Sequence, residues 1–401
     1  MIHLITDIFD PSKGSEWQVA VKPIRHLVSL GKSVELWYLE GGDSTSFQQR
    51  WLIENGYDGF VNLRPVKMKF ADQNGNHFFR LLFLLDLLRL YVLALKRIGP
   101  DSLIWKAGQV NIIFNLIFIS LRKKIICGPV SGLEFPPVYY IFRNRSFNLF
   151  IKYLFYVLLI FFVKFILKVI FTFKRHDIVI LCATKTDLDI IRFLSKRNNA
   201  IKSYQYTEVD IETLLIKNKL VRKETALRGK NIIWCGSFIE RKNPLFAIKT
   251  ALYTCSIDRH VEFTFIGEGP QLQRCKDLAL GSKDKDRIHF LTFMPREKLL
   301  STLPMYDIAF VTSWREVNSV FIFEAISRGL IIVSSNISGM RELIEPPNKK
   351  FHLSSTNEVS VVGNLITQVF EDKYDDMGRQ KLLNIYGSEK KLISDLFEAF
   401  E

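Results

Sequence analysis

Paired cysteines, a long unbroken apolar run and sequence repetition are all missing from this 401-residue chain. Its five cysteines, Cys127, Cys182, Cys235, Cys255 and Cys275, are scattered, odd in number and never spaced Cys-x-x-Cys. Four follow or sit within apolar segments, so they read as buried free thiols in a reducing compartment. The longest uninterrupted apolar run, Tyr153 to Val163, has eleven residues, against the ~20 that a membrane-spanning helix needs. No basic segment with a cleavage site precedes the opening strand, Met1 to Thr6, so no signal peptide is expected. Acidic residues are outnumbered, 41 against 55 Lys and Arg, for a net charge of +14. Such a surface favours nucleic acid, anionic lipid or phosphorylated substrates, unless it reflects only a lysine-rich, isoleucine-rich genome. Nucleic acid is the least expected partner, because the basic residues are dispersed and no recognition motif occurs.

What is present is a folded chain, 48% hydrophobic and 24% charged, long enough for two domains. In the first half, strands are expected at 1–6, 33–39, 103–105, 124–127 and 177–182. Helices are expected at 16–30, closed by Gly31, and at 78–97, and another opens at Thr186. The stretch 147–173 is the most apolar. Lys152, Lys164 and Lys168 break it up, which leaves a buried core helix or a helix lying on anionic lipid with its lysines snorkelling. The stretch 215–230 is dense in Lys and Arg and reads as part of a linker. Beyond it a second alternation begins. Its strands are expected at 232–234, 263–266, 288–291, 308–311 and 330–333, with helices at 244–254, 271–280, 296–303 and 319–328. Both halves therefore predict an α/β fold with parallel, doubly wound sheets. The last helix, 389–400, is amphipathic.

In parallel sheets the loops after the strands gather at the carboxyl edge, where open α/β proteins bind ligands. Three such loops in the second half carry chemistry-bearing residues. Gly236, Ser237, Arg241 and Lys242 follow the first strand and enter a helix, where charge and amide donors together suit a diphosphate. Gly267 and Gly269 follow the second strand, and small residues there would let a ring or ribose approach the backbone. Glu316 and Glu324 frame the loop and helix after the strand at 308–311, and a carboxylate near a helix start can accept both hydroxyls of a ribose. In the first half, Gly14 precedes a helix start and Gly128 opens a Gly/Pro-rich loop. Asp187 and Asp189 could hold a divalent metal. They fall in the first turn of a helix, however, where they match the dipole and cap amides, so capping is the expected role.

Taken together, these residues resemble retaining nucleotide-sugar glycosyltransferases of the large family 4 type (glycosyl transferases group 1), with the GT-B fold. That fold has two Rossmann-like doubly wound parallel-sheet domains facing a cleft. The likeness is strongest from Ile232 to Ile344, in Gly236, Arg241, Lys242, the run from Ile266 to Pro270, Glu316, Glu324, Gly329 and the run from Gly339 to Glu342. It implies that Lys242 and Arg241 hold the donor phosphates, Glu324 binds the ribose and Glu316 contacts the transferred sugar. Gly14, Gly236, Ser237, Gly267, Gly269, Asn318 and Ser319 would complete the donor side. Glu16, Gly128, Ser131 and Glu134 would lie on the acceptor side. The family requires no metal, and no cofactor is expected beyond a UDP- or GDP-linked sugar as substrate. Ser237, Val317 and Ile331 depart from the family's usual Arg, Gly and Pro. The stretch 103–108 lacks the family's histidine, and His26 reads as a surface or packing residue of a helix.

The resemblance implies an acceptor domain over 1–205, a linker over 206–230, a nucleotide-sugar domain over 231–375, and a C-terminal helix over 376–401 packing back toward the first domain. The expected activity is transfer of a sugar to a lipid-linked or polysaccharide acceptor in cell-envelope glycan synthesis. The protein would be cytoplasmic, or peripheral on the inner face of an anionic membrane. Two alternatives stay open: a degenerate, non-catalytic nucleotide- or partner-binding protein, and a nucleotide-sugar epimerase of the same fold.

Overall fold

A computed structural model describes residues 1–9, 19–40, 45–69, 77–107, 124–135, 147–174, 176–207, 209–216, 230–314, 316, 319–335, 353–354, 358–370 and 377–400. The chain divides into two compact units. One holds Met1–Pro136, Ile141–Asp210 and Glu389–Glu401; the other holds Ile211–Ser388.

The first unit has seven strands: β1 (Ile2–Ile8), β2 (Val34–Glu40), β3 (Val61–Lys67), β4 (Ile104–Lys106), β5 (Ile125–Val130), β6 (Ile178–Cys182) and β7 (Ile201–Gln205). They pair in the order β3-β2-β1-β4-β5-β6-β7, parallel throughout. The central strands β4, β5 and β6 are buried along their whole length. That is why they appear in the sequence as unbroken apolar runs, as strands covered on both faces must. One face is covered by α3 (His77–Arg97), α4 (Phe147–Phe173) and α5 (Lys185–Ser195), through Leu87, Leu90, Val163, Leu167 and Ile191. The other is covered by α1 (Val21–Ser29), through Ile24 and Leu27, and by the end of the C-terminal helix, through Ile393, Leu396 and Phe397.

Three local expectations are corrected and one is extended. The helix α2 (Thr45–Glu54) and β3 carry polar residues such as Gln48, Arg50, Asn62 and Arg64 and had no clear apolar period. Strand β3 is an edge strand, where Pro65 costs no ladder bond on its open side. Strand β5 does not stop at Cys127 but runs through Gly128 and Pro129, with a register shift against β6. The 147–173 stretch is one continuous helix. Its 21 residues from Tyr153 to Phe173 are long and apolar enough to cross a membrane by length and composition, because its lysines are too sparse to break it. The last helix runs from Met377 to Phe400, longer than its amphipathic stretch 389–400.

The second unit has β8 (Lys230–Cys235), β9 (Val261–Ile266), β10 (Ile288–Leu291), β11 (Ile308–Val311), β12 (Ile331–Ser335) and β13 (Leu353–Ser354). They pair in the order β10-β9-β8-β11-β12-β13, again parallel. Its helices are α6 (Ile211–Ile216), α7 (Pro244–Ile257), α8 (Leu272–Leu280), α9 (Arg296–Thr302), α10 (Val320–Ser327) and α11 (Val359–Val369). The final α12 (Met377–Phe400) starts in this unit. Both units are thus doubly wound α/β sheets, as the alternation predicted. The unit boundary falls between Asp210 and Ile211, and Tyr206 is a core residue of the first unit. Most of the expected linker, 217–229, lies outside the described residues.

Candidate functional site

In the second sheet the strand order turns outward in both directions between β8 and β11. Ligands of open α/β sheets bind at such a switch point, beyond the carboxyl ends of the strands. The loops leaving β8 and β11 meet there. After β8, a short 3-10 turn over Glu240–Lys242 ends at Asn243, which is left-handed, and Pro244 starts α7. Proline suits a first helical position because its missing N–H would have no intrahelical partner. Strand β8 and the turn are tied to the β11 loop by hydrogen bonds. Trp234 Nε1 donates to Thr312 Oγ1 at 2.9 Å, Thr312 Oγ1 donates to the Lys242 carbonyl at 2.8 Å, and the Trp314 amide donates to the Arg241 carbonyl at 2.8 Å.

That framework brings the predicted catalytic residues together. Lys242 Nζ donates to Glu316 Oε1, Arg241 Nη1 lies 3.2 Å from the same oxygen, and Ser313 Oγ donates to it at 2.9 Å. Two cations around one carboxylate leave one positive charge in excess, beside the N-terminus of a 14-residue helix. Aligned amide dipoles add to that field, so the arrangement can take an anion with more than one charge. Ser237 is exposed at the same edge. Ser319 is the N-cap residue of α10 and is buried.

Glu324 lies in α10, buried, with Oε1 accepting from Arg296 Nε at 2.7 Å. Burial pushes its carboxyl upward, opposed by Arg296 and then Arg328. The Cys235 thiol, at the end of β8, is pushed up to about 12 by burial and by the Glu324 charge, with Lys242 opposing. Cys235 therefore lies within the fields of both charge clusters, a placement with no signal in the sequence.

The glycines at 267 and 269 also have a packing role. Gly267 has φ +140°, and a Cβ there would sit 2.1 Å from the Gly236 carbonyl oxygen; Gly269 has φ +148°, and a Cβ there would meet the Phe238 backbone at 2.8 Å. The β8 and β9 loops are bonded face to face, Gly236 N to the Ile266 carbonyl and Phe238 N to the Glu268 carbonyl. Glycine is needed at these two positions so that the loops can approach each other, and the space its Cβ would fill belongs to protein backbone.

In the first unit, Gly128 lies within β5, and Ser131 and Glu134 follow that strand. Gly14, Glu16 and Asn318 lie outside the described residues, as does the 339–342 run. Asp187 lies in the first turn of α5 as expected, but the cap is Thr184: Thr184 Oγ1 accepts from the Asp187 amide at 3.0 Å and donates to Asp187 Oδ2 at 2.8 Å. The other carboxylate oxygen of Asp187 accepts from the Leu133 amide at 2.9 Å, fastening the loop that carries Ser131 and Glu134. His26 is buried against Tyr206. Among the described residues no three His, Cys, Asp or Glu side chains come together as metal ligands.

Sequence reasoning missed one charged cluster. The first sheet also turns outward between β1 and β4. At that switch point Lys106 Nζ donates to Asp7 Oδ1 at 2.8 Å, and Tyr91 OH donates to the same oxygen, all three buried. The only hint was a lysine closing an apolar strand, in the stretch noted for its missing histidine.

The fold is GT-B. A point mutant of S. aureus TarM, solved with fondaparinux, α-GlcNAc-glycerol and UDP, superposes with a TM-score of 0.64 at 12% identity, covering 100% of this chain and 99% of that one. Anabaena Alr3699/HepE, solved with UDP and glucose, gives a TM-score of 0.56 at 16% identity over 98% and 94%. Residues 217–385 match the family model of glycosyl transferases group 1. Among curated proteins, one subunit of the phosphatidylinositol N-acetylglucosaminyltransferase of Arabidopsis thaliana is 25% identical over 134 residues, 33% of this chain and 30% of that protein. The GPI3 subunit of the corresponding transferase from Saccharomyces cerevisiae is 28% identical over 106 residues, 26% of this chain and 23% of that protein. The chain thus spans less than a third of the length of these curated relatives.

Proposed function

We propose that this protein is a metal-independent, retaining glycosyltransferase. It moves a sugar from a nucleoside diphosphate sugar, UDP- or GDP-linked, to a lipid-linked or polysaccharide acceptor in cell-envelope glycan synthesis. The observation that carries this reading is the pair of cations, Arg241 and Lys242, converging on Glu316 at the switch point of the second sheet. A nucleotide leaving group gains negative charge on its phosphate as the glycosidic bond breaks. Preorganised cations aimed at that charge lower the barrier more than they stabilise the bound donor. Lys242 and Arg241 take the role that a metal ion fills elsewhere, Glu316 contacts the transferred sugar, and Glu324, oriented by Arg296, accepts the ribose hydroxyls. The acceptor hydroxyl attacks from the face the nucleotide leaves, so configuration is retained. The match to the group 1 family model covers the residues of the second unit assigned to the donor. The structural neighbours solved with UDP, one of them with glucose, support a nucleotide-sugar donor. The subunits of phosphatidylinositol N-acetylglucosaminyltransferases among the relatives support a lipid-linked acceptor.

The test is thermal stabilisation by UDP, GDP, ADP, CMP and TDP of the wild type and of Glu324→Ala. One nucleotide should stabilise the wild type and lose its effect in the variant. No shift with any of them would overturn the donor site.

A further inference from the structure

Helix α4 is apolar on every side, yet the fold uses only one of them. Ile160, Val163, Leu167 and Phe171 are buried along one side, and the last three pack into the core of the first unit. At about 100° per residue the opposite side carries Ile151, Leu154, Leu158, Phe162, Phe165 and Val169. These six are 41% to 66% exposed. The stripe rises for about 27 Å along the helix without a polar side chain. On α3, which packs into the same core, Leu85, Leu88 and Val92 are exposed at the same helical spacing.

The charged residues of the two helices are mostly basic, although Glu134 and the buried Asp187 lie near Lys164. Helix α4 contains Lys152, Lys164 and Lys168 and no acidic residue. Helix α3 contains Arg80, Arg89, Lys96 and Arg97 against a single acid, Asp86. Asp86 is fully buried, and its carboxylate accepts from the Lys69 amide. Lys164 and Lys168 lie beside the apolar stripe, not on it: one ammonium stands over the Phe135 ring at 4.2 Å and the other donates to the Leu194 carbonyl at 2.8 Å.

We infer that this face of α4, with Leu85, Leu88 and Val92 of α3, docks the protein on an anionic lipid bilayer, α4 lying in the plane of the interface. A protein partner needs a polar rim and about one hydrogen bond per 100–200 Å², and the stripe offers none. Lipid acyl chains need none, and flanking cations suit the anionic headgroups above them. The buried stripe fastens the second half of α4, from Ile160 to Phe171, to the core of the first unit, so the helix enters the bilayer sideways and does not cross it. The inference goes beyond the transfer reaction and does not depend on it, because lipid binding is read without donor or acceptor.

The full chain is mixed with vesicles of phosphatidylcholine alone, or of equal parts phosphatidylcholine and phosphatidylglycerol, and sedimented over a salt series. Wild type should sediment with the anionic vesicles and be released as salt rises. The triple variant Leu158→Ser/Phe162→Ser/Phe165→Ser should lose binding by on the order of tenfold or more. Phe293→Ser, at an exposed residue of the second unit, should bind like wild type. An unchanged near-ultraviolet circular dichroism spectrum shows that the triple variant is folded. If that spectrum is altered, Phe165→Trp decides instead: its added fluorescence should be quenched by brominated phosphatidylcholine mixed with phosphatidylglycerol. The inference is overturned if wild type stays in the supernatant at low salt, if the folded triple variant binds as well as wild type, or if Phe165→Trp is not quenched. It is equally overturned if wild type without lipid is a dimer that the triple variant converts to monomer while neither sediments, because the face would then belong to a second copy.

Discussion

Lys242 donates a hydrogen bond to Glu316, a residue 74 positions further along the chain, and the two hold the loops of adjacent parallel strands together. On the proposed reading this pair breaks when a donor enters, because the phosphates compete with Glu316 for the ammonium. Lys242→Ala should therefore cost about 2 kcal/mol or more in nucleotide affinity or barrier, roughly thirtyfold. Glu316→Gln should leave nucleotide binding intact or tighter while transfer falls, because the lysine is released but the sugar contact is lost. Calorimetry with the stabilising nucleotide and a turnover assay separate the two effects. Equal losses of binding in both variants would mean that the pair is only a structural clasp.

The Lys106–Asp7 pair at the switch point of the first sheet is almost fully removed from solvent. Removing one partner of a buried pair leaves an uncompensated charge and costs ~3–5 kcal/mol. Lys106→Met should destabilise by that amount, and adding Asp7→Asn should restore part of it, since the orphaned carboxylate is gone. Guanidinium unfolding followed through the fluorescence of neighbouring Trp105 reads both. A double variant no more stable than the single one would refute the charge argument.

The legible parts of this molecule are those where one physical demand fills a short window. The β11–α10–β12 crossover was readable because buried parallel strands must be continuous apolar runs and Gly329 must end the helix between them. The place of Asp187 was readable because acids suit the first turn of a helix, and its partner there, the cap Thr184, is only three residues away. Its second bond, to Leu133, spans 54 residues. The Lys242–Glu316 and Lys106–Asp7 contacts span 74 and 99. No window contains such pairs, and only the closed sheet makes them neighbours. The glycines at 267 and 269 were visible, but their contact with the β8 loop was not, because the sequence does not say that another loop comes close.

That loop contact has a direct test. Gly267→Ala places a Cβ 2.1 Å from the Gly236 carbonyl oxygen at a φ of +140°, so backbone must move. A loss of about 3 kcal/mol or more is expected. Gly281→Ala at the end of α8 is the control: its φ is −73° and its nearest neighbour would be 3.6 Å away. Its melting temperature should stay close to wild type. A Gly267→Ala protein as stable as wild type would leave this loop only the role of a ligand cradle.

Two buried groups of the first unit oppose each other in pH. Burial pushes the Asp187 carboxyl from 3.8 up to about 6, so the folded protein holds that proton more tightly than the unfolded chain. Its contribution is fully present below pH 3.8 and is lost as pH rises through 6. His26 is lowered from 6.5 to about 3, by burial first and then by Lys22, Arg25 and Lys390. Its contribution is present above pH 6.5 and is lost as pH falls toward 3. Between pH 4 and 6 the two slopes have opposite signs, each about 1.4 kcal/mol per pH unit, and cancel. Single substitutions should expose them. Asp187→Asn should make stability rise more steeply with pH across that window than wild type, and His26→Gln should make it fall relative to wild type. Denaturant unfolding at half-unit pH intervals on the three proteins measures this, and the common background of other carboxylates drops out of the comparison. Parallel curves for all three would show that neither side chain titrates in the folded protein as its burial demands.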